Sequence, residues 1–189
     1  MANPVACLTL ALAVALCALP LSAQEPTAFE RFQIAVAKYA SLHHKLERHL
    51  PPVTNFTDPD EAERSMVAMA AGLRRARSLA GEGELFGGPI AMAFRDVLAI
   101  RAREDYECRK ALVEALSLEP AQAGRSITVN DTFPWAASRL LPSCLQDGLP
   151  DLPIELQYRL VGTDLMLVDL HAGLVVDVLR SAVQDATTR

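Results

Sequence analysis

From Thr27 to Leu50 the apolar residues Phe29, Phe32, Val36, Tyr39, Leu46 and Leu50 recur at alternating spacings of three and four, with polar residues between them. That is one stripe of an amphipathic helix, and Pro51-Pro52 stops it. After the loop PPVTNFT, Asp58 reads as an N-cap with Pro59 in the first helical position and Glu61 three residues on, opening a second helix that runs to about Ala80. Its inward positions are predicted as Ala62, Met66, Met69, Leu73 and Ala76. GEGELFGG then breaks the chain. Pro89 opens a third helix that turns Ile90, Phe94, Val97, Leu98 and Ile100 inward. Beyond the charged interruption RARED, a fourth covers about Tyr106 to Leu118, with Cys108, Leu112, Ala115 and Leu116 on its apolar side. Four helices on short connections read as an antiparallel bundle.

The pattern changes after Pro120. SITVNDTFPWAASRLLPSCLQDGLPDLP carries Pro134, Pro142, Pro150 and Pro153, too many for a long helix, and predicts a wrapping segment with short helical turns around Trp135 and Leu140. Trp135 is expected to plug the core. In the tail ELQYRLVGTDLMLVDLHAGLVVDVLRSAV, Gly162-Thr163-Asp164 and His171-Ala172-Gly173 separate three Val- and Leu-rich runs of strand length. Leu165 to Ala182 also satisfies helical spacing, but Gly173 in its middle and the clustered valines weigh toward strands. The expected fold is α+β, a bundle of about four helices with a small C-terminal antiparallel three-stranded meander, forming a single mature domain over 24–189.

The first 23 residues, MANPVACLTLALAVALCALPLSA, carry no charged side chain, and their long apolar run closes on Pro-Leu-Ser-Ala. This is the pattern of a secretory signal peptide over 1–23, cleaved after Ala23. An uncleaved anchor is the alternative, because the run approaches the roughly 20 residues that span a bilayer; the membrane would then be touched only through this N-terminus. The expected location is periplasmic or secreted. Loss of the leader takes Cys7 and Cys17 away and leaves Cys108 and Cys144 in an oxidising compartment, where their one possible intramolecular pairing is a disulfide between the fourth helix and the wrapping segment.

Composition narrows the function classes. An apolar fraction of 51% with only 5% aromatics is that of Ala-rich helices in close contact. A net charge of −5 without a long basic run gives no electrostatic footprint for nucleic acid. Arg74, Arg75 and Arg77 fall in the last turns of the second helix, where cations complement the helix dipole.

YASLHHKLERHLPP holds three of the four histidines. His43 continues the apolar stripe and faces the core, so leucine is expected to be tolerated there. At about 100° per residue, His44 and His49 point to other sides of the helix and are expected to be solvated. The three cannot share one ion, and the spacing is not H-E-x-x-H. Glu47 pairs with His43 or His44 as a two-ligand half-site that needs a partner from another element, for which His171 is the candidate. The expectation is therefore no catalytic residue, no metal and no cofactor, with His43, Glu47 and His171 as the residues from which a metal site would be built.

Other motifs point nowhere. His171 beside Asp169 forms a triad with Ser143 or Ser181 only on paper, without a G-x-S-x-G elbow. GEGELFGG lacks the Gly-Lys-Ser/Thr of a phosphate loop and reads as an interhelical turn. Asp164, Asp169 and Asp177 lie near strand ends without the spacing of a calcium loop. Glu82, Glu84, Glu104 and Asp105 read as solvated loop charges.

YRLVGTDLMLVDLHAGLVVDVL is similar to the closing hairpin of the periplasmic nickel/cobalt homeostasis proteins, whose last segment also runs Tyr-Arg, Val-Gly, an apolar strand, a tight turn and a Val-rich strand. The resemblance covers Tyr158 to Leu179 and implies a hairpin and a metal role, although the His-rich stretches of that group are missing. The mature chain as a whole resembles an uncharacterised family of exported bacterial proteins in which FPWA and this tail recur, with no assigned activity. The expected function is an exported, non-enzymatic binding or accessory protein that engages another envelope protein. The alternatives are a periplasmic metal-handling protein in which His43, Glu47 and His171 meet, and an enzyme that the sequence does not announce.

Overall fold

The computed structural model describes residues 25–51, 58–117 and 126–187. The expected signal peptide over 1–23 lies outside them. Four helices come first: α1 (Ala28–Glu47), α2 (Pro59–Ala76), α3 (Pro89–Glu104) and α4 (Tyr106–Ser117). A short segment follows with a 3-10 turn at Trp135–Ala137, strand β1 (Arg139–Leu140) and the one-turn helix α5 (Ser143–Gln146). Strands β2 (Leu156–Val161), β3 (Asp164–Asp169) and β4 (Leu174–Leu179) and the turn α6 (Gln184–Thr187) complete the chain. The α+β class is as expected, with β1 added to the meander as a fourth strand.

The helix starts follow local chemistry. Thr27 and Glu30 form a reciprocal capping box at α1, and the Asp58 carboxylate accepts the Asp60 amide at α2. RARED interrupts nothing until Asp105, whose carboxylate accepts the Cys108 amide at 3.0 Å and so caps α4. The inner face of α2 differs from the expected one. Met69, Ala70 and Leu73 are buried, whereas Ala62, Met66 and Ala76 are exposed. Full burial on α2 is confined to its C-terminal half. Ile100 on α3 is likewise 41% exposed.

An aromatic knot joins the layers. The rings of Phe32 and Phe94 lie 4.8 Å apart, Phe86 and Phe94 5.1 Å, and Phe29 meets Phe94 edge-on at 5.4 Å. Tyr158 from β2 stacks on Phe32 at 6.4 Å. Edge-to-face pairs of this kind add about 0.5–1.5 kcal/mol each beyond area burial. Few aromatics therefore suffice for the junction of α1, α3 and the sheet.

The sheet is antiparallel in the order β1-β2-β3-β4. Gly162 (φ +57°) and Gly173 (φ +58°) take the left-handed conformation at the two hairpin turns. β2 alternates buried and half-buried positions, but β3 and β4 are buried almost throughout. Leu165, Leu167, Leu174 and Val176 join the helical core. Met166, Val168, Val175 and Val178 form a second core under Phe133 and Ile127. The segment before the 3-10 turn thus covers the far face, which is why DLMLVD and LVVDVL read as continuous apolar runs. The same segment closes an edge. Asn130 N donates to Val175 O at 2.8 Å, Val175 N to Asp131 O at 3.0 Å and Phe133 N to Gly173 O at 2.8 Å, along the open side of β4.

Trp135 is no core plug. It is 43% exposed, edge-on to Phe133 at 4.9 Å, with the Arg159 guanidinium 5.2 Å above its ring. Cys108 of α4 and Cys144 of α5 are joined as a disulfide, with Cα atoms 5.8 Å apart. The two cysteines are 36 positions apart in the chain, and closing a loop of that length stabilises by about 4 kcal/mol in the chain-entropy model. No helix among the described residues is long and apolar enough to cross a membrane.

Candidate functional site

The apolar stripe of α1 ends on a polar residue. Phe32, Val36, Tyr39 and His43 are its buried positions, and His43 is 1% exposed. A buried imidazole needs partners, and β3 supplies one. Its last residue, Asp169, is itself fully buried and lies 2.6 Å from His43 Nδ1. The same carboxylate oxygen accepts the Tyr39 hydroxyl at 2.7 Å, and the other accepts the Ala172 amide at 2.7 Å. Tyr39 and His43 are one helical turn apart, so both reach one acid.

These contacts fix charge and tautomer. A carboxylate only accepts, so His43 donates its Nδ1 proton to Asp169 and keeps any lone pair on Nε2. Burial alone would lower the basicity of His43, but the hydrogen bond to Asp169 and the charges of Asp169, Glu47 and Glu155 hold it above the usual histidine value. Burial alone would raise Asp169. The His43 bond, the Ala172 amide and the Tyr39 hydroxyl overcome that and hold it below the usual carboxylate value. Tyr39 is pushed far up by burial and by the Asp169 charge, and stays a neutral donor.

The β3–β4 turn brings His171 to the same place. Its ring centroid is 5.7 Å from that of His43. Glu47, one turn beyond His43 on α1, approaches His171 Nδ1 at 3.7 Å, and the Ser65 hydroxyl of α2 meets His171 Nε2 at 3.0 Å. One ligand atom from each of His43, Glu47 and His171 lies within 4.8 Å of the others. His43 is buried, His171 half-buried and Glu47 exposed, so the trio opens outward.

The sequence named all three of these residues. It missed the groups that hold them. Asp169, at a strand end, is the buried anchor of His43; a leucine at 43, which the stripe favours, would take away its one cationic partner and leave it Tyr39 and the Ala172 amide. His44 is not simply solvated, because its Nε2 contacts the carboxylate of Glu155, a residue only 8% exposed. His49 does stay exposed and bonds to the Lys45 carbonyl. Neither Ser143 nor Ser181 serves His171. Ser65 does, and only the fold could reveal it.

Other parts of the molecule are occupied by structural work. Asp177 accepts the amides of Gly83, Leu85, Phe86 and Val178 at 2.6–2.8 Å, so GELF is a turn wrapped on a buried acid. Gly87 closes that turn: a Cβ there would sit 2.3 Å from Gly83 O. Glu82 and Glu84, expected to be solvated, pair with Arg180 and Arg77. A groove of about 890 Å³ runs between α1 and the 76–85 segment. Of its cations, Arg31 is paired with Glu25 and Arg77 with Glu84. Comparison with protein-family models, with curated proteins and with solved structures finds no match to this chain.

Proposed function

We propose that this chain is an exported, non-enzymatic binding protein of the bacterial envelope that takes a cation at the pole formed by His43, Glu47 and His171. The observation that carries the reading is the convergence of an outward-facing carboxylate and two imidazoles from two elements of the fold, backed by the buried acid Asp169. With Glu155 also close, the surroundings favour positive charge. Export is supported by the uncharged apolar leader and by the Cys108–Cys144 disulfide.

A second reading rests on one alignment. Ser65, His171 and Glu47 follow the order of a hydroxyl–imidazole–carboxylate relay. Ser65 lies inside α2, however, where its amide and those of its neighbours are committed to the helix. Binding is the better use of the same groups.

The test uses the full chain expressed with its leader and recovered from an oxidising compartment. N-terminal sequencing is expected to begin at Gln24, with no free thiol after denaturation. Thermal unfolding is then followed with calcium, magnesium, zinc, nickel and spermidine added singly. At least one cation should raise the midpoint, and Glu47→Gln should abolish that rise. Equal midpoints with every cation would overturn the proposed function.

A further inference from the structure

Resting on that reading, we infer that the cation is a borderline first-row transition metal ion, such as zinc or nickel, held by two histidines and one glutamate with an open coordination position. The donor set decides the class. Two imidazoles suit zinc, nickel, copper and iron, whereas calcium and magnesium take oxygen almost throughout.

The support around the donors points the same way. Histidines that bind metals commonly give their second ring N–H to a carboxylate, a carbonyl or water, which fixes the tautomer and strengthens the donor nitrogen. Both histidines here are held in that manner. Asp169 takes the Nδ1 proton of His43 and leaves Nε2 for an ion. With an ion on His171 Nδ1, the nitrogen that Glu47 approaches, the ring keeps its proton on Nε2 and donates it to the Ser65 hydroxyl 3.0 Å away. Asp169 is held in turn by the Ala172 amide and Tyr39, so the buried ligand is rigid.

The distances fit with a small movement. Ligands of a tetrahedral ion bound at 2.0–2.1 Å lie about 3.4 Å apart. The 4.8 Å spread here must close by about 1.4 Å. The two outer ligands can provide that movement. Glu47 is the last residue of α1 and exposed, and His171 sits on a hairpin turn. Three protein ligands leave a fourth position for water or for a donor from another molecule, which is the arrangement of an exchangeable site rather than a closed structural one.

The ion binds only with both nitrogens deprotonated at the metal, and its binding stabilises the fold in proportion to occupancy. Asp169 is a positioning residue, acting through His43. Its removal is expected to weaken binding by about 10–100-fold.

Chelator-stripped chain is titrated by calorimetry with zinc, nickel and cobalt(II), each alone. The expected result is one ion per chain, with Glu47→Gln and His171→Ala each weakening binding at least tenfold. Asp169→Asn should weaken it 10–100-fold, and His49→Ala, outside the trio, should leave it unchanged. Cobalt(II) provides a second readout: a four-coordinate site gives strong visible bands, and Glu47→Gln should change them while circular dichroism shows the fold intact. Binding indifferent to Glu47→Gln and His171→Ala, or no stoichiometric binding, overturns the inference. If calcium or spermidine instead raises the unfolding midpoint in a Glu47-dependent way, the metal assignment falls and the broader cation reading stands. If no cation acts, both fall.

Discussion

Two aspartates are fully buried, eight residues apart on neighbouring strands, and they do opposite work. Asp177 in β4 is satisfied by backbone amides alone. Its partners cannot titrate, cannot leave and cannot bind anything else. Asp169 at the end of β3 shares its oxygens between a histidine, a tyrosine and one amide. Its partners are side chains with chemistry of their own, and one of them sits at the mouth of an open trio. A buried acid that only meets backbone organises a loop. One that meets a histidine passes its charge to whatever that histidine faces.

Substitutions separate the two most sharply at Asp177. Asp177→Ala leaves the amides of the 83–86 turn without acceptors, at about 1–3 kcal/mol each when buried. The expected loss is about 4 kcal/mol in urea unfolding, with metal affinity in the surviving folded fraction changed less than twofold. An affinity loss as large as that of Asp169→Asn would erase the contrast. Next comes His43→Leu, which strands the Asp169 carboxylate in the core. Breaking one side of a buried pair costs about 3 kcal/mol or more, and the variant should bind no ion. A neutral or stabilised variant would mean that the hydrophobic stripe outweighs the pair.

Asp169→Asn is expected to be milder for the fold, at about 1–2 kcal/mol, because the amide keeps an acceptor for His43 while losing charge. Its larger effect belongs to binding. The pH dependence of the metal-free chain sharpens the same point. Asp169 is held below its ordinary value, so its share of stability is present above about pH 4 and is lost as pH falls through the depressed folded value. His43 is held above its own, so its share is present below about pH 6.5 and is lost as pH rises through the raised folded value. Between those limits the pair contributes fully. Urea midpoints should decline on both sides of that window, and the alkaline decline should vanish in His43→Leu. Ser65→Ala, which removes only a neutral hydroxyl behind His171, should have the smallest effect on affinity, at or below the low end of the roughly 10–100-fold range for such partners. Its stability should lie within about 0.5 kcal/mol of the parent.

The sequence made the elements legible where pattern and chemistry agree locally. The stripe of α1, the Asp58-Pro59 start of α2, the glycine turns at 162 and 173 and the Cys108–Cys144 pair could all be read from neighbours in the chain. It was less informative where a residue's surroundings come from far away. The stripe drawn for α2 assumed burial along the whole helix, and full burial is confined to its second half. Residue type alone points Trp135 inward, and it lies under Arg159 instead. The site divides in the same way. His43, Glu47 and His171 could be named because histidine is rare in the chain, and His43 with Glu47 share a helical face. Asp169, Ser65 and Glu155 could not, because their meaning depends on contacts across more than a hundred positions.

The short run of bonds between 130–133 and β4 has a consequence for life in a crowded compartment. A sheet grows by adding strands at its rim, and a newly made chain meets many copies of itself before it finds its place. Here one rim is β1, only two residues long, and the other is already taken by its own chain. With Asn130 turned into the left-handed region, that covering strand bends away after a few residues and offers no straight template of its own. Among the described residues, therefore, the sheet offers a second copy only the short rim of β1 and the part of β2 beyond it, so the exposed surface near the histidine pole sits beside little strand edge with which copies could recruit one another.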